Sequence, residues 1–174
     1  MLNANDVSIR MIDSSDTANI VKWRNAEHVM NVFIDRNPLT EEIHQKWLEE
    51  RVNTGKVVQF IMTDDENGRD FGSVYFRDID DHHRKAEIGI FIGEKDYLGK
   101  GYGKIAAGKA LQYAFSELNL NKVYARVLIS NDASSNMFRS LGFNKDGIFR
   151  EDVMIDGKPV DVVFYSILRK EWEE

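Results

Sequence analysis

Three glycines at alternate positions constrain this chain more than any other feature. They are Gly99, Gly101 and Gly103, and they lie between an apolar run typical of a strand and an amphipathic run typical of a helix. Because glycine has no Cβ, such a segment can turn tightly and bring its backbone close to a ligand. The free N–H groups at the start of the following helix favour an anion. The segment is therefore predicted to bind a pyrophosphate group.

Composition excludes several classes of function. The chain has 174 residues, of which 43% are hydrophobic, so it can build the core of one domain, which we expect to span residues 1–174. Its net charge of −6 disfavours non-specific binding to nucleic acid, which needs clustered lysine and arginine. The absence of cysteine excludes disulfides, thiolate metal sites and cysteine nucleophiles.

We expect neither membrane association nor a metal site. No apolar run approaches the ~20 residues that cross a bilayer, and the first residues lack the apolar segment of a secretion signal, so a cytoplasmic location is expected. The histidines His28, His44, His82 and His83 do not form a ligand pattern such as H-E-x-x-H. The last two are adjacent, and adjacent side chains on an extended chain point to opposite sides.

The order of apolar patterns predicts the fold class. Strand-like and helix-like segments follow one another as β-α-α-β-β-β-α-β-α-β-β. The run Lys85–Gly93, a helix from about Gly101 to Leu118 and the run Lys122–Ile129 form a βαβ unit, whose strands we expect to be parallel. The hairpins at both ends are antiparallel. The prediction is a mixed α/β (α+β) fold, with a mostly antiparallel sheet of about seven strands flanked by about four helices.

Two of these helices precede the second strand. The first runs from Ser14, a good cap residue, to about Arg24. The second begins after Thr40 and has an apolar face formed by Ile43, Trp47, Leu48 and Val52. Both are therefore expected to pack on the sheet.

Two segments together carry a family resemblance. The glycine segment reads Leu98-Gly-Lys-Gly-Tyr-Gly103 and precedes the long central helix, and a later segment runs from Asn131 to Leu141-Gly-Phe143. In this order the chain resembles the GNAT superfamily of acyl-CoA-dependent N-acetyltransferases, whose cofactor motif is Q/R-x-x-G-x-G/A. Leu98 stands where that motif has glutamine or arginine. Because backbone amides build the cradle, pyrophosphate binding is expected to survive this change.

Shorter motifs refine the resemblance. His82-His-Arg-Lys-Ala-Glu87 and Asn131-x-x-Ser134 look most like the branch of ribosomal-protein N-terminal acetyltransferases and spermidine acetyltransferases. Trp23-Arg24-Asn25 is similar to nucleotide-amino-sugar acetyltransferases. The resemblance implies acetyl-CoA as co-substrate and a primary amine as acceptor. A small-molecule amine, either an amino-sugar nucleotide or a polyamine, is preferred over a protein N-terminus as the acceptor. The resemblance is also compatible with a homodimer.

A non-catalytic acyl-CoA-binding module is the alternative from another functional class. Phe138 stands where many relatives place a tyrosine that donates a proton, and a phenyl ring cannot donate one. Leu98 departs from the cofactor motif as well. Binding of CoA without turnover would favour this alternative.

The resemblance also implies the cofactor contacts. In the family, the strand before the glycine segment separates from the next strand, and the pantetheine of the coenzyme lies in the gap. The expected cofactor-binding residues are Ile90, Phe91, Ile92, Leu98, Gly99, Lys100, Gly101, Tyr102, Gly103, Lys104 and Asn131. Gly89, within the same strand, suits a bulge or close backbone approach, or else serves only packing.

Two residues are expected to move protons. A lysine-like amine has a pKa of about 10.4 and must lose a proton before it attacks the thioester. Glu87 lies on the strand face opposite the isoleucines and resembles the proposed base of part of the family; the alternative is a solvent-facing or salt-bridged carboxylate, with Arg84 as one candidate partner. Ser134 can donate a hydrogen bond to the departing thiolate, or else only caps its helix or contacts the cofactor.

The acceptor pocket has no motif of its own. In the family, the N-terminal helices cover the acceptor, which makes Trp23, Phe33 and Tyr75 candidate walls; core packing is the alternative. The acidic stretches at 64–66 and 80–81 are interpreted as solvated turns. They would indicate a polyamine only if they lined the cleft.

Overall fold

Seven extended segments form one sheet in the computed structural model, which describes residues 6–172. Neighbouring strands lie in the order β1-β2-β3-β4-β5-β7-β6, and every pair is antiparallel except β4 with β5. The predicted mixed, mostly antiparallel sheet is confirmed. The strands are β1 (Val7–Met11), β2 (Val58–Asp64), β3 (Arg69–Asp80), β4 (Lys85–Ile92), β5 (Lys122–Leu128), β6 (Asn144–Ile155) and β7 (Lys158–Leu168).

Six α-helices flank the sheet within the described residues, where about four were predicted. The two additional helices have four residues each, too few for an apolar period to show in the sequence. A π-helical turn, Leu48–Val52, continues the third helix. The helices are α1 (Thr17–Arg24), α2 (Glu27–Met30), α3 (Glu41–Trp47), α4 (Tyr102–Ser116), α5 (Asp132–Ser140) and α6 (Arg169–Trp172).

The parallel pair β4 and β5 is joined over only part of its length. Residues Lys85–Glu87 pair with Lys122–Tyr124, and no pairing follows. β4 nevertheless continues to Ile92 and β5 to Leu128. The two strands therefore separate beyond Glu87 and leave an opening within the sheet, which we call the β4–β5 gap.

The two faces of the sheet carry separate cores. On one face, α4 packs closely because its inward side chains are small: Ala106, Ala110 and Ala114 are fully buried. On the other face, α1 and the segments after it pack onto Ile61 and Phe91. The glycine segment at the start of α4 and the N-terminal helices thus lie on opposite sides of the sheet, and the β4–β5 gap lies between them.

Candidate active site

The β4–β5 gap opens into a cavity of about 420 Å³. α1, the loop after α2 and α3 form one wall; β5 and α5 form the other, and β3 and β4 contribute between them. The cavity therefore joins the expected cofactor side to the expected acceptor side. The predicted site residues that line it are Glu87, Ser134, Asn131, Ile90, Phe91, Phe33 and Tyr75.

Glu87 lies where β4 and β5 separate, and it is only 3% exposed. Its carboxylate accepts two hydrogen bonds from Arg77, at 3.1 Å to Oε2 and 2.9 Å to Oε1, and a third from Arg126 at 3.3 Å to Oε1. The alternative of a solvent-facing carboxylate is wrong because Glu87 is buried. The alternative of a salt-bridged carboxylate is confirmed, but the partners are Arg77 and Arg126, and Arg84 donates to Asn119 instead. A carboxylate has about four acceptor directions, so one on Oε2 stays free.

The arginines beside Glu87 hold it between three strands. Arg77 belongs to β3 and Arg126 to β5, so the ion pairs link β3, β4 and β5 at the point where the gap begins. Burial is the largest single influence on the pKa of Arg77 and lowers it, but the hydrogen bond to Glu87 and the nearby negative charges, Glu87 above all, together raise that pKa above its usual value. The guanidinium therefore stays charged, and the edge of the gap has a fixed geometry.

Asn131 and Ser134 form one hydrogen-bonded unit at the start of α5. Asn131 is the N-cap, and its Oδ1 accepts from the Ser134 backbone N–H at 3.2 Å. Its Nδ2 donates to Ser134 Oγ at 3.0 Å. Because Oγ accepts this bond, the Ser134 O–H remains available to donate elsewhere. Phe138 lines the same wall, so α5 offers the cavity a serine hydroxyl beside a phenyl ring.

The glycine segment has the backbone of an anion cradle. Gly99 and Gly101 have φ values of +71° and +92°, in the left-handed region that glycine adopts without strain. Gly101 is the N-cap of α4, and no side chain caps this end of the helix. The N–H groups of residues 102–104 therefore lack partners within the helix. A Cβ on Gly103 would lie 3.3 Å from Ile92 Cδ1, which places this cradle beside the end of β4.

The other predicted cofactor residues of this segment differ in exposure. Leu98, Lys100 and Lys104 are exposed, so their side chains are free to meet a ligand. Tyr102 instead packs its ring against Tyr97, with centroids 4.8 Å apart. Tyr102 can therefore contribute only its backbone to the cradle.

The end of β4 has a partner that the sequence did not reveal. His28 of α2 lies with its Nε2 3.1 Å from the carbonyl oxygen of Ile92, a hydrogen-bonding distance. The side chains of Ile90 and Ile92 pack toward the α4 core, whereas Phe91 belongs to the core under α1. The carbonyl of Ile92 is therefore already occupied by a side chain from α2.

Gly89 makes room for the ring of Tyr75. The two residues pair across β3 and β4, and the register is regular at this position. A Cβ on Gly89 would overlap the Tyr75 ring. The glycine therefore serves packing, and the alternative of a bulge is wrong.

The hydroxyl of Tyr75 has no hydrogen-bond partner among residues 6–172, and the side chain lines the cavity. Burial raises the pKa of Tyr75, although Arg77 and Arg24 partly oppose the shift. The phenol is therefore protonated at neutral pH. It is available as a hydrogen-bond donor to a ligand.

The prediction that Trp23 forms a wall of the acceptor pocket was wrong. It is 1% exposed and belongs to the core under α1 rather than to the cavity lining. Its indole lies over Gly93, where a Cβ would overlap the ring, and its Nε1 donates to Glu94 at 2.8 Å. Phe33 does line the cavity, and its ring meets Phe91 edge-on at 5.6 Å.

His44 is a candidate that sequence patterns missed. It is 2% exposed and lines the cavity; its Nδ1 lies 3.0 Å from Thr17 Oγ1, and its buried Nε2 has no partner among residues 6–172. Burial lowers the pKa of His44, which favours the neutral imidazole at neutral pH. The predicted apolar face is confirmed at Leu48, which is buried, and was wrong at Ile43, which is 52% exposed, because α3 turns His44 inward instead. The sequence signal that could have placed His44 on the inward face was its four-residue spacing from the apolar Leu48.

The acidic stretches lie outside the cavity. None of the residues 64–66 or 80–81 lines it. The interpretation as solvated turns is wrong for Asp64, which is buried and accepts a hydrogen bond from the Tyr97 hydroxyl at 2.9 Å. Because these acidic residues do not line the cleft, they do not indicate a polyamine acceptor.

The described residues offer neither a metal site nor a membrane-spanning helix. Within residues 6–172, no group of three or more His, Cys, Asp or Glu side chains is placed to hold a metal ion. None of the helices described there is both long enough and apolar enough to span a bilayer.

Comparison with known proteins decides the family. The family model for the acetyltransferase (GNAT) domain matches residues 6–144, which is most of the chain. The chain belongs to the GNAT acetyltransferase family. A putative ribosomal N-acetyltransferase of Bacillus subtilis (strain 168) is 27% identical over 96% of this chain and 93% of its own length. A spermidine N(1)-acetyltransferase of Vibrio cholerae is 24% identical over 95% of both chains.

A solved structure agrees with this GNAT assignment at the level of the fold. The crystal structure of spermidine N-acetyltransferase from Vibrio cholerae in complex with CoA and spermine superposes with a TM-score of 0.90 at 24% identity. The match covers 98% of this chain and 99% of that one. The GNAT protein described here is an N-acetyltransferase that uses acetyl-CoA.

Proposed function

We propose that this GNAT enzyme acetylates a primary amine of a small molecule by direct attack of the amine on the thioester of acetyl-CoA. The observation that carries the proposal is the β4–β5 gap, which opens into a partly enclosed cavity of about 420 Å³. This volume lies within the usual range for small-molecule sites. The amine enters between α1, α3 and β3, and the coenzyme lies on the side of α4 and α5.

The backbone positions the coenzyme. The unpartnered N–H groups of residues 102–104 bind its pyrophosphate, and the exposed Lys100 and Lys104 lie next to them. The pantetheine follows the edge of β4 that has lost its β5 partner. A backbone N–H from residues 90–92 then stabilises the oxyanion that forms when the amine attacks the thioester.

Side chains move the protons. Glu87 takes the proton of the amine through a water molecule at its free Oε2 direction, while its ion pairs hold the carboxylate in place. Ser134, oriented by Asn131, donates to the thiolate of CoA, which is a better leaving group when it receives a hydrogen bond. Both groups line the same cavity.

The relatives favour two different acceptors. The Vibrio cholerae relative named a spermidine N(1)-acetyltransferase favours a polyamine, which is one class of small-molecule amine. The Bacillus subtilis relative named a putative ribosomal N-acetyltransferase favours a protein N-terminus, which is the second candidate. A single assay separates amino sugars, polyamines and protein N-termini.

The test measures CoA thiol release from acetyl-CoA with a panel of amines. The panel holds amino sugars and their nucleotides, polyamines, and peptides with a free N-terminus. We expect saturable turnover with a small-molecule amine. Turnover of peptides alone would replace the small-molecule acceptor by a protein N-terminus, and CoA binding without turnover of any amine would favour the acyl-CoA-binding module.

A further inference from the structure

Arg24 has a charged group without a charged partner. Its guanidinium is half-buried at the end of α1 and lines the cavity. Among residues 6–172, no side chain or backbone oxygen forms a hydrogen bond or ion pair with it. By contrast, Arg77 and Arg126 are both paired with Glu87. Burial lowers the pKa of Arg24; Tyr75 and the carboxylate of Asp35 partly oppose this shift, and Arg77 adds to it, so burial of the cation is only partly compensated in the free protein.

The ring of Phe33 holds the Arg24 guanidinium in one orientation. The Arg24 Cζ lies 3.7 Å from the ring centroid, which is a cation–π stacking distance. Stacking occupies a face of the guanidinium and leaves the N–H groups at its edge free. Such an edge matches the two oxygens of a carboxylate or phosphate.

The residues on both sides of Arg24 fix its position. Trp23 is anchored in the core and bonded to Glu94. Asn25 forms two hydrogen bonds with the backbone of Leu39, at 2.7 and 2.8 Å, which tie the α2–α3 loop to the end of α1. Arg24 is therefore held at the cavity wall by the two residues next to it in the chain, and both of these have uncharged side chains.

The charged side chains of the cavity give it a positive balance. The lining contains the guanidinium groups of Arg24, Arg77 and Arg126 and the carboxylates of Asp35 and Glu87. The remaining titratable groups that line it, His44 and Tyr75, have pKa values that burial shifts toward the neutral form. A polyamine, which carries several positive charges, would meet net repulsion there.

We propose that the acceptor amine carries an anionic group, a phosphate or a carboxylate, and that Arg24 binds this group. The inference rests on the proposed function and names its substrate class. His44 Nε2, buried and without a partner, supplies a hydrogen bond to an uncharged polar part of the same acceptor. Arg24 is thus a binding residue that selects anionic amines over polyamines.

The experiment compares matched pairs of amines by thiol release. Two pairs test whether a phosphate is recognised: glucosamine 6-phosphate against glucosamine, and a nucleoside-diphosphate amino sugar against its free sugar. One pair, β-alanine against β-alaninamide, tests whether a carboxylate is recognised. Spermidine is the cationic comparison. We expect an anionic member to have a kcat/KM at least about 10-fold above its neutral partner, since charge-assisted bidentate hydrogen bonds are the strong ones. Whichever pair shows the preference identifies the phosphate or the carboxylate.

Variants assign the preference to Arg24. Arg24→Gln is expected to remove it, and Arg24→Lys to keep part of it. Lys22→Ala is the matched control, because it removes a positive charge from α1 whose side chain pairs with Glu94 and does not line the cavity. An anionic preference that survives Arg24→Gln, or a preference for spermidine, would overturn the inference. Thermal unfolding of each variant shows whether it is folded.

A binding measurement separates this inference from the proposed function. Uridine diphosphate and succinate are each titrated calorimetrically into protein that is already saturated with CoA, so that the pyrophosphate cradle is occupied. If no amine is acetylated, the proposed function fails, and Arg24-dependent binding of either probe still supports the anion site. Binding that is absent, or equal in Arg24→Gln, overturns the anion site even if some amine is acetylated.

Discussion

The two sides of the cleft are built from different parts of the chain. The cofactor side is formed mainly by backbone groups: Gly101 adopts φ +92°, the first N–H groups of α4 are free, and β4 loses its β5 partner after Glu87. On the acceptor side, single side chains such as Arg24 and Tyr75 define the wall, and they come from segments that lie far apart in the sequence. A site built from backbone groups can be recognised by a local motif in the sequence, whereas a site built from side chains that lie far apart in the sequence cannot.

The largest effect is expected at Glu87, where the two sides meet. Glu87→Gln removes the proposed proton acceptor and leaves Arg77 and Arg126 without their carboxylate. We expect kcat to fall about 100-fold, the usual scale of a lost general base, and the pH dependence of kcat to change. Steady-state kinetics between about pH 6 and 9, below the pKa of about 10.4 of a lysine-like amine, measure both.

Glu117→Gln is the control for this variant, since Glu117 is exposed and does not line the cavity. A lower kcat with the same pH profile would make Glu87 a positioning residue for the two arginines. Unchanged kinetics would remove Glu87 from the mechanism altogether.

The cofactor side is tested by Gly101→Ala. An alanine at φ +92° is forced into the left-handed region, which costs about 1–2 kcal/mol and displaces the start of α4. We expect the KM for acetyl-CoA to rise about 10-fold while the KM for the amine changes little, because the lost interaction belongs to the backbone cradle.

Gly147→Ala is the matched control. A Cβ at Gly147 meets open space, and its φ lies outside the left-handed region. Calorimetric titration with CoA gives the affinity directly. An affinity for CoA that is equal in Gly101→Ala and the native chain would contradict a pyrophosphate cradle at this position.

The acceptor side is tested by Gly89→Ala. Its Cβ would overlap the Tyr75 ring, so the ring or the strand must move. Overpacking of this kind costs about 1–3 kcal/mol in the free energy of unfolding. We expect the KM for the amine to rise several-fold and the affinity for CoA to change less, the reverse of Gly101→Ala. Urea unfolding and steady-state kinetics measure the two effects.

A double-mutant cycle sharpens this test. Replacing Tyr75 by alanine removes the overlapping ring, so Gly89→Ala should cost less stability in that background than in the native chain. Additive effects of the two changes would mean that Gly89 is required for another reason.

The smallest effect concerns how α1 is attached. The hydrogen bonds from Lys22 and Trp23 lower the pKa of Glu94 to about 2 from an ordinary value of 4.5. A carboxylate whose pKa is lower in the folded state stabilises the protein above the unfolded value and loses this contribution as the pH falls through the folded one. Stability should therefore decrease between about pH 4.5 and pH 2.

Glu94→Gln checks this assignment by urea unfolding at a series of pH values. The variant should be less stable than the native chain at neutral pH and should lose less stability across the acidic range. Parallel curves for the two proteins would show that other carboxylates account for the acid sensitivity.

The sequence predicted the backbone features well and the side-chain partners poorly. The order of strands and helices along the chain and the parallel βαβ unit both follow from residues close in the chain. Glu87 was predicted to face the cleft, but its partners Arg77 and Arg126 are 10 and 39 residues away, so only strand register brings them together. Trp23 was assigned to the wall because an aromatic residue on a covering helix gives no sign of which face it occupies.

Local chemistry determines the glycine turn, the helix that follows it and the amide groups left free at its start, because φ preferences and helix ends depend on a few consecutive residues. The family and the acetyl donor follow from that local pattern. The charge of the acceptor cavity arises differently: Arg24, Arg77 and Arg126 come from three elements whose proximity depends on sheet pairing and helix packing. Long-range contacts of this kind have no period in the sequence, so the class of amine this enzyme accepts could be inferred only after folding had brought those groups together.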